Sequence, residues 1–198
     1  KSWGKHFILC FPDFFMRIHF LMFGSYRINE SREMVPRISL QFKTGVLNFY
    51  TCSVKIADAD PDKVYDWKVD VLSDKWDSGY VKKLLKQHKE EQVGDILLDQ
   101  NLFAGVGNII KNEVLFRTGV HPQSQLKNLP EAKVEALIRE ARQYSFDFLY
   151  WKRNYELKKH WQVYNKKTCP HCDTPLVRKI TGKRERRSFF CPQCQTLY

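Results

Sequence analysis

Two pairs of cysteines constrain this chain more than anything else in it. Cys169-Pro-His-Cys172 and Cys191-Pro-Gln-Cys194 are separated by 18 residues, the spacing of a tetrahedral zinc site made of four thiolates. Each Cys-x2-Cys turn aims two sulfurs at one point, and Pro170 and Pro192 help preset the backbone inside the turns. One structural zinc ion held by Cys169, Cys172, Cys191 and Cys194 is expected, with His171 a spare donor and no open position for a substrate. Cys10 and Cys52 are isolated in apolar segments and read as buried, so no disulfide is expected.

Between the pairs, TPLVRKITGKRERRSFF reads as two strands joined around Gly182, with Lys183, Arg184, Arg186 and Arg187 near the turn. From Trp151 onward, twelve Lys and Arg face only Glu156, Asp173 and Glu185, so this quarter of the chain holds +9 of the total +11. A structural ribbon with a solvated tip is the plain alternative. Charge so concentrated around a metal site favours a polyanionic partner, nucleic acid above all. The planar fork of arginine suits phosphate oxygens.

The chain has 198 residues, enough for one or two domains with a real core. With 43% hydrophobic and 14% aromatic residues it is too apolar for disorder. Its mean hydropathy is −0.49, and charges interrupt every apolar run before about 18 residues, which excludes a transmembrane helix. The opening KSWGKHFILCFPDFF carries Lys5 and Asp13 inside its apolar part and does not read as a signal peptide. A cytosolic setting is the default expectation.

Residues 1–60 read as short strands punctuated by Pro12-Asp13, Gly24-Ser25 and Thr44-Gly45, and residues 61–75 as a linker. Residues 76–160 read as helical, with DSGYVKKLLKQHKEE opening the run and Pro130 starting a helix whose Val134, Leu137, Ile138 and Ala141 share one face. Residues 161–198 form the zinc module. The fold class is therefore α+β: a small antiparallel β-sheet or β-sandwich, a helical domain and a terminal zinc hairpin.

Within the helical part, Asp99 to Asn108 (DQNLFAGVGN) breaks one helical pattern and restarts another at Ile109. Gly105 and Gly107 allow close approach of backbone. The first N–H groups of the following helix then point outward with the positive dipole end, which suits one phosphate. By itself such a turn is more often a helix–helix corner.

Taken together, these residues resemble the formamidopyrimidine-DNA glycosylase and endonuclease VIII family of base-excision repair enzymes. The resemblance spans nearly the whole chain. It rests most firmly on LLDQNLFAGVGNIIKNEVLFRTGVHP, similar to the family's helix-two-turn-helix element, and on the CPHC to CPQC finger, with WGKHFILCF and RIHFLMFGSYRI similar to its catalytic β-domain. It implies that Lys5 contacts the phosphate beside the lesion and supports catalysis, that Asn108 holds backbone phosphate, and that Arg186 grips the phosphates flanking an extruded nucleotide. It also implies that Met22, with Leu21 and Phe23, fills the gap left by the extruded base, and that Glu113 is structural. Apart from the family, an enzyme acting on a base within duplex DNA must unstack it at a cost of a few kcal/mol, and an apolar wedge fills the hole.

The family's nucleophile is the amine of an N-terminal proline followed by glutamate, whereas this chain begins Lys1-Ser2-Trp3. The expectation is a chain that lacks the family's N-terminal segment, with that nucleophile outside it. An α-amine of pKa about 7.7 to 8.0 is partly neutral at physiological pH, while an ordinary lysine amine near 10.4 is not. For the parent protein the resemblance implies a glycosylase with abasic-site lyase activity by β/δ-elimination, acting on oxidised bases. The short stretch from Arg153 to Lys167 resembles the endonuclease VIII branch, which prefers pyrimidines. The implied partner is double-stranded DNA with damaged or abasic sites, bound by a monomer in the bacterial nucleoid or the nucleus, away from membranes. A non-catalytic damaged-DNA-binding module and a zinc-ribbon interaction protein remain the alternatives.

Overall fold

Short runs rich in aromatic and β-branched residues, broken by Pro12, Gly24 and Gly45, produce seven strands in the first 57 residues. They are β1 (Ser2–Trp3), β2 (His6–Cys10), β3 (Phe15–His19), β4 (Ser25–Ile28), β5 (Ile38–Phe42), β6 (Gly45–Tyr50) and β7 (Ser53–Ala57). The computed structural model describes residues 1–198 and arranges these strands in two antiparallel sheets, ordered β1-β2-β3-β7 and β4-β6-β5. Met16 and Ile18 from the first sheet meet Phe49 from the second, with Cys52 beside them and Leu9, Phe20, Leu40, Leu47 and Val54 around them. This is the interdigitated interior of a sandwich. Trp3, Phe15 and Tyr65 close one end, with the Trp3 and Tyr65 ring centres 4.9 Å apart.

The chain clusters into two units, Lys1–Asp66 and Trp67–Tyr198. Residues 61–75, read from the sequence as a linker, contain the one-turn helix α1 (Pro61–Val64) and a 3-10 turn at Trp67–Val69. Val69 and Val71 are buried, and the division between the two units falls within this segment. Cys52 is buried as expected, but Cys10 is exposed: it shares the face of Ile8 but is the last residue of β2, beyond the stretch paired with β1.

In the second unit, helix α2 (Ser78–Leu85) starts where the Asp77 side chain accepts the N–H of Tyr80 at 2.9 Å. It is shorter than the pattern to Glu91 suggested, because Lys89 and Glu91 give their carbonyls to the N–H groups of Lys127 and Leu126 instead. One turn, α3 (Val93–Ile96), leads into the glycine-rich turn and then α4 (Asn108–Arg117). Helix α5 (Glu131–Arg153) buries Leu137, Ile138, Ala141, Tyr144 and Ser145, the single stripe its periodicity predicts.

Strands β8 (Val177–Thr181) and β9 (Arg186–Phe190) form the C-terminal hairpin. Phe116 from α4 shares a core with Val163, Cys169, Phe189 and Cys191. The Gln195 side chain donates to the Val120 carbonyl at 2.8 Å and accepts from the Cys191 N–H at 2.9 Å. The cysteine finger is thus part of the helical unit.

Candidate metal centre and nucleic-acid surfaces

The four expected thiols converge. Cys169 and Cys172 precede β8, Cys191 and Cys194 follow β9, and all four Sγ atoms lie within 4.8 Å of one another. The shorter separations are 3.4 Å for Cys172–Cys194, 3.5 Å for Cys172–Cys191 and 3.8 Å for Cys169–Cys194. A tetrahedron with metal–sulfur bonds of about 2.3 Å has edges of about 3.8 Å, so the donor set can hold a metal ion. His171 packs its ring on Phe116 at 4.7 Å and is not among the four donors.

Helix α4 is buried on all sides from Ile110 to Phe116, although Lys111, Asn112 and Glu113 interrupt its apolar sequence. Successive residues on a helix point about 100° apart, and each of these three finds its own distant partner. The Lys111 ammonium reaches the Ser188 hydroxyl at 2.8 Å and the Arg187 carbonyl at 3.3 Å. The Asn112 carbonyl accepts from the Phe189 N–H at 2.8 Å. The Glu113 carboxylate accepts from the N–H groups of Gln162, Val163 and Tyr164 at 2.9, 3.1 and 2.8 Å. Burial pushes the Lys111 ammonium down to about 8, opposed by the Asp95 charge and reinforced by Arg186. Burial also raises the Glu113 carboxyl, against the pull of its three backbone donors. Lys111 and Asn112 escaped sequence reasoning. The available signal was three polar residues inside an otherwise apolar helix.

The glycine turn sits at the head of this helix. Gln100 braces it, accepting from the Gly105 N–H at 3.1 Å and donating to the carbonyls of Leu98 and Val106. Gly105 takes φ +102, which favours glycine. Gly107 caps α4 with no side-chain acceptor, so the cap leaves the first-turn N–H groups available to a ligand. Asn108 is half-buried, and its Nδ2 donates to the Arg187 carbonyl at 2.9 Å while its buried Oδ1 has no protein partner. Asn108 is therefore joined to the strand that carries Arg186 and Arg187. Lys183, Arg184, Arg186 and Arg187 are all exposed.

In the first unit, Lys5 is exposed on the turn between β1 and β2, where its charge helps hold down the pKa values of His6 and His19. Strand pairing sets His6 opposite His19, and burial, first of all, lowers both, His6 to about 4. Leu21, Met22 and Phe23 form the β3–β4 turn and are 61, 78 and 79% exposed, so they are not core residues of a strand. The turn is held rigidly beneath them. The Gly24 N–H meets the Phe20 carbonyl at 2.7 Å, the Leu21 N–H meets His19 Nδ1 at 3.1 Å, and a Cβ on Gly24 would collide with the Phe20 backbone.

Comparison with known proteins agrees with this geometry. The family model for the formamidopyrimidine-DNA glycosylase H2TH domain matches residues 68–144. The chain is 32% identical to Endonuclease 8-like 3 of Xenopus laevis over 98% of its own length and 34% of that protein. It is 36% identical to Endonuclease 8-like 2 of Bos taurus over 91% of its own length and 58% of that protein. The chain therefore spans from about a third to somewhat over half of these relatives. Among solved structures, a viral DNA glycosylase superposes with a TM-score of 0.83 at 23% identity, covering 99% of this chain and 85% of that one. The Lactococcus lactis formamidopyrimidine-DNA glycosylase bound to DNA containing an abasic site gives 0.82 at 24%, covering 99% and 80%. At these identities the likeness is one of fold.

Proposed function

The chain belongs to the formamidopyrimidine-DNA glycosylase and endonuclease VIII family, and from that membership we propose that it serves a DNA repair glycosylase with abasic-site lyase activity on duplex DNA. The observation that carries this reading is the hydrogen bond from Asn108 to the Arg187 carbonyl. It makes one rigid element of a helix N-terminus and an arginine-bearing strand, two phosphate-binding devices of different kinds.

In this reading Asn108, with the backbone at Gly105 and Gly107, takes one phosphate, and Arg186 takes the phosphates beside an extruded nucleotide. Lys183, Arg184 and Arg187 add charge along the duplex. Leu21, Met22 and Phe23 enter the stack, an insertion suited to three apolar side chains displayed on a braced turn. Lys5 neutralises phosphate next to the lesion and is the catalytic residue of this chain. Zinc fits the four thiolates, and with all four positions taken by sulfur it fixes the base of the hairpin and activates no water.

An amine attacks C1′ of the damaged nucleoside and the base departs, leaving a Schiff base. Loss of a C2′ proton then expels the 3′ phosphate, and a second elimination expels the 5′ phosphate. Positioning and charge neutralisation are the contributions of Lys5, Asn108 and Arg186. Oxidised pyrimidines are the proposed substrates, in keeping with the short stretch from Arg153 to Lys167 and its resemblance to the endonuclease VIII branch. The setting follows the substrate, genomic DNA in a nucleus or nucleoid.

Borohydride reduction of the chain mixed with abasic-site duplex tests the proposal. A covalent adduct, or failing that tighter binding to abasic than to intact duplex, is the expected result. Neither adduct nor preference would overturn it.

A further inference from the structure

We propose that Asp95 is a positioning residue that seats the arginine tip of the finger on the helical unit, so that the grip of Arg186 on DNA depends on a carboxylate remote from the phosphate. The inference rests on the reading of Arg186 as a phosphate ligand.

A metal at the four thiolates can clamp only the base of the hairpin. Strands β8 and β9 run five residues each away from it, about 16 Å at the usual rise per residue, and a two-stranded ribbon of that length is not held rigid by its base alone. The tip is held elsewhere. Asp95, in α3 and 6% exposed, accepts the N–H of Lys183 through Oδ2 at 2.8 Å and the N–H of Arg184 through Oδ1 at 3.1 Å. Charge-assisted bonds to two adjacent backbone amides fix a turn in both position and direction.

The turn is moulded to this carboxylate. Gly182 has φ +72, and a Cβ there would collide with both Asp95 oxygens. Arg184 then bends back to Asp99 at 2.6 Å. Three residues further on, the Arg187 carbonyl receives Asn108 Nδ2, Lys111 Nζ and Asn112 Nδ2 at 2.9, 3.3 and 3.3 Å. Arg186 lies between these two anchorages, its backbone constrained on both sides and its side chain exposed. Asp95 also places the one buried carboxylate under a tip that carries four cations, at a site whose field reaches Lys111.

The test compares Asp95→Ala, Asp95→Asn, Gly182→Ala, Arg186→Ala and the Asp95→Ala/Arg186→Ala double variant. Each is measured for metal content, hydrogen exchange at the Lys183 and Arg184 amides, and duplex affinity over a salt series. Asp95→Ala should keep its metal, lose protection at those two amides and bind duplex about tenfold more weakly with a shallower salt slope. Adding Arg186→Ala should then cost little more, since the arginine is already misplaced. Gly182→Ala, which keeps the carboxylate but lifts the turn off it, should reproduce the defect, and Asp95→Asn serves if the alanine variant fails to fold. Unchanged affinity in the Asp95 variants, or full additivity with Arg186→Ala, overturns the proposal. If Arg186→Ala alone binds normally, the phosphate reading falls and this inference with it.

Discussion

Glu113 in α4 accepts the backbone N–H of Tyr164 at 2.8 Å across 51 positions of sequence. With Gln162 and Val163 as further donors, one buried carboxylate ties the helix to the segment that enters the finger.

Removing it strands those donors. Glu113→Ala should destabilise the helical unit by about 3 kcal/mol, and Glu113→Gln, which keeps one acceptor oxygen, by roughly half as much. Urea unfolding of the three proteins measures this. Equal midpoints would show that water replaces the carboxylate at no cost.

Lys111 supplies a pH signature. Its folded value of about 8 lies below the ordinary lysine value, so between about pH 8 and 10.4 the unfolded chain binds more protons and stability rises with pH relative to a chain without this group. Below that window both states are charged and the full burial cost is present. Lys111→Met should fold and lose this contribution to the slope. Unfolding midpoints of both proteins at about pH 7.5 and 9.5 check it, and parallel behaviour would mean that the ammonium stays protonated in the native state.

The β3–β4 turn separates binding from stability. Leu21, Met22 and Phe23 are exposed, so alanine at all three should shift stability by only about 0.5 kcal/mol or less per site. Preference for abasic over intact duplex should drop by about tenfold, because an inserted wedge offsets unstacking. A fluorescent base analogue beside the lesion should report less unstacking. An unaltered signal would remove the wedge assignment.

Metal removal should loosen the hairpin at its base. A strong chelator is expected to abolish most duplex binding while leaving the first unit folded, and zinc should restore it. Cobalt(II) in its place should give the absorption of a tetrahedral thiolate complex. Full binding by metal-free protein would show that Asp95 and α4 hold the hairpin unaided.

Lower pH should weaken the first unit by itself. His6 is held neutral down to about pH 4, chiefly by burial, then by Arg17, His19 and Lys5. As pH falls below about 6.5 the unfolded chain takes up the proton first, so stability declines from there towards about 4 and then levels. His6→Phe should flatten that decline in denaturation experiments. A wild-type slope in the variant would assign the effect to other groups.

The cysteine quartet, the GVGN turn and the apolar face of α5 were legible in the sequence because each is a local pattern, in which spacing alone fixes which side chains share a turn or a stripe. The same holds for Leu21, Met22 and Phe23 as a group, although only the tertiary structure showed them exposed rather than packed. The tertiary structure also decided everything that depends on burial across distance. Lys111, Asn112 and Asp95 look like ordinary surface residues in the sequence, and Cys10 looks like a core residue. The surroundings of the first three are made by hairpin residues 70 or more positions away, and Cys10 is exposed because it stands at the end of its strand. The merging of the finger with the helical unit has the same origin. It follows from Phe116, Phe189 and the buried partners of α4, contacts whose free energy comes from desolvation and hydrogen bonding between segments that no spacing rule connects.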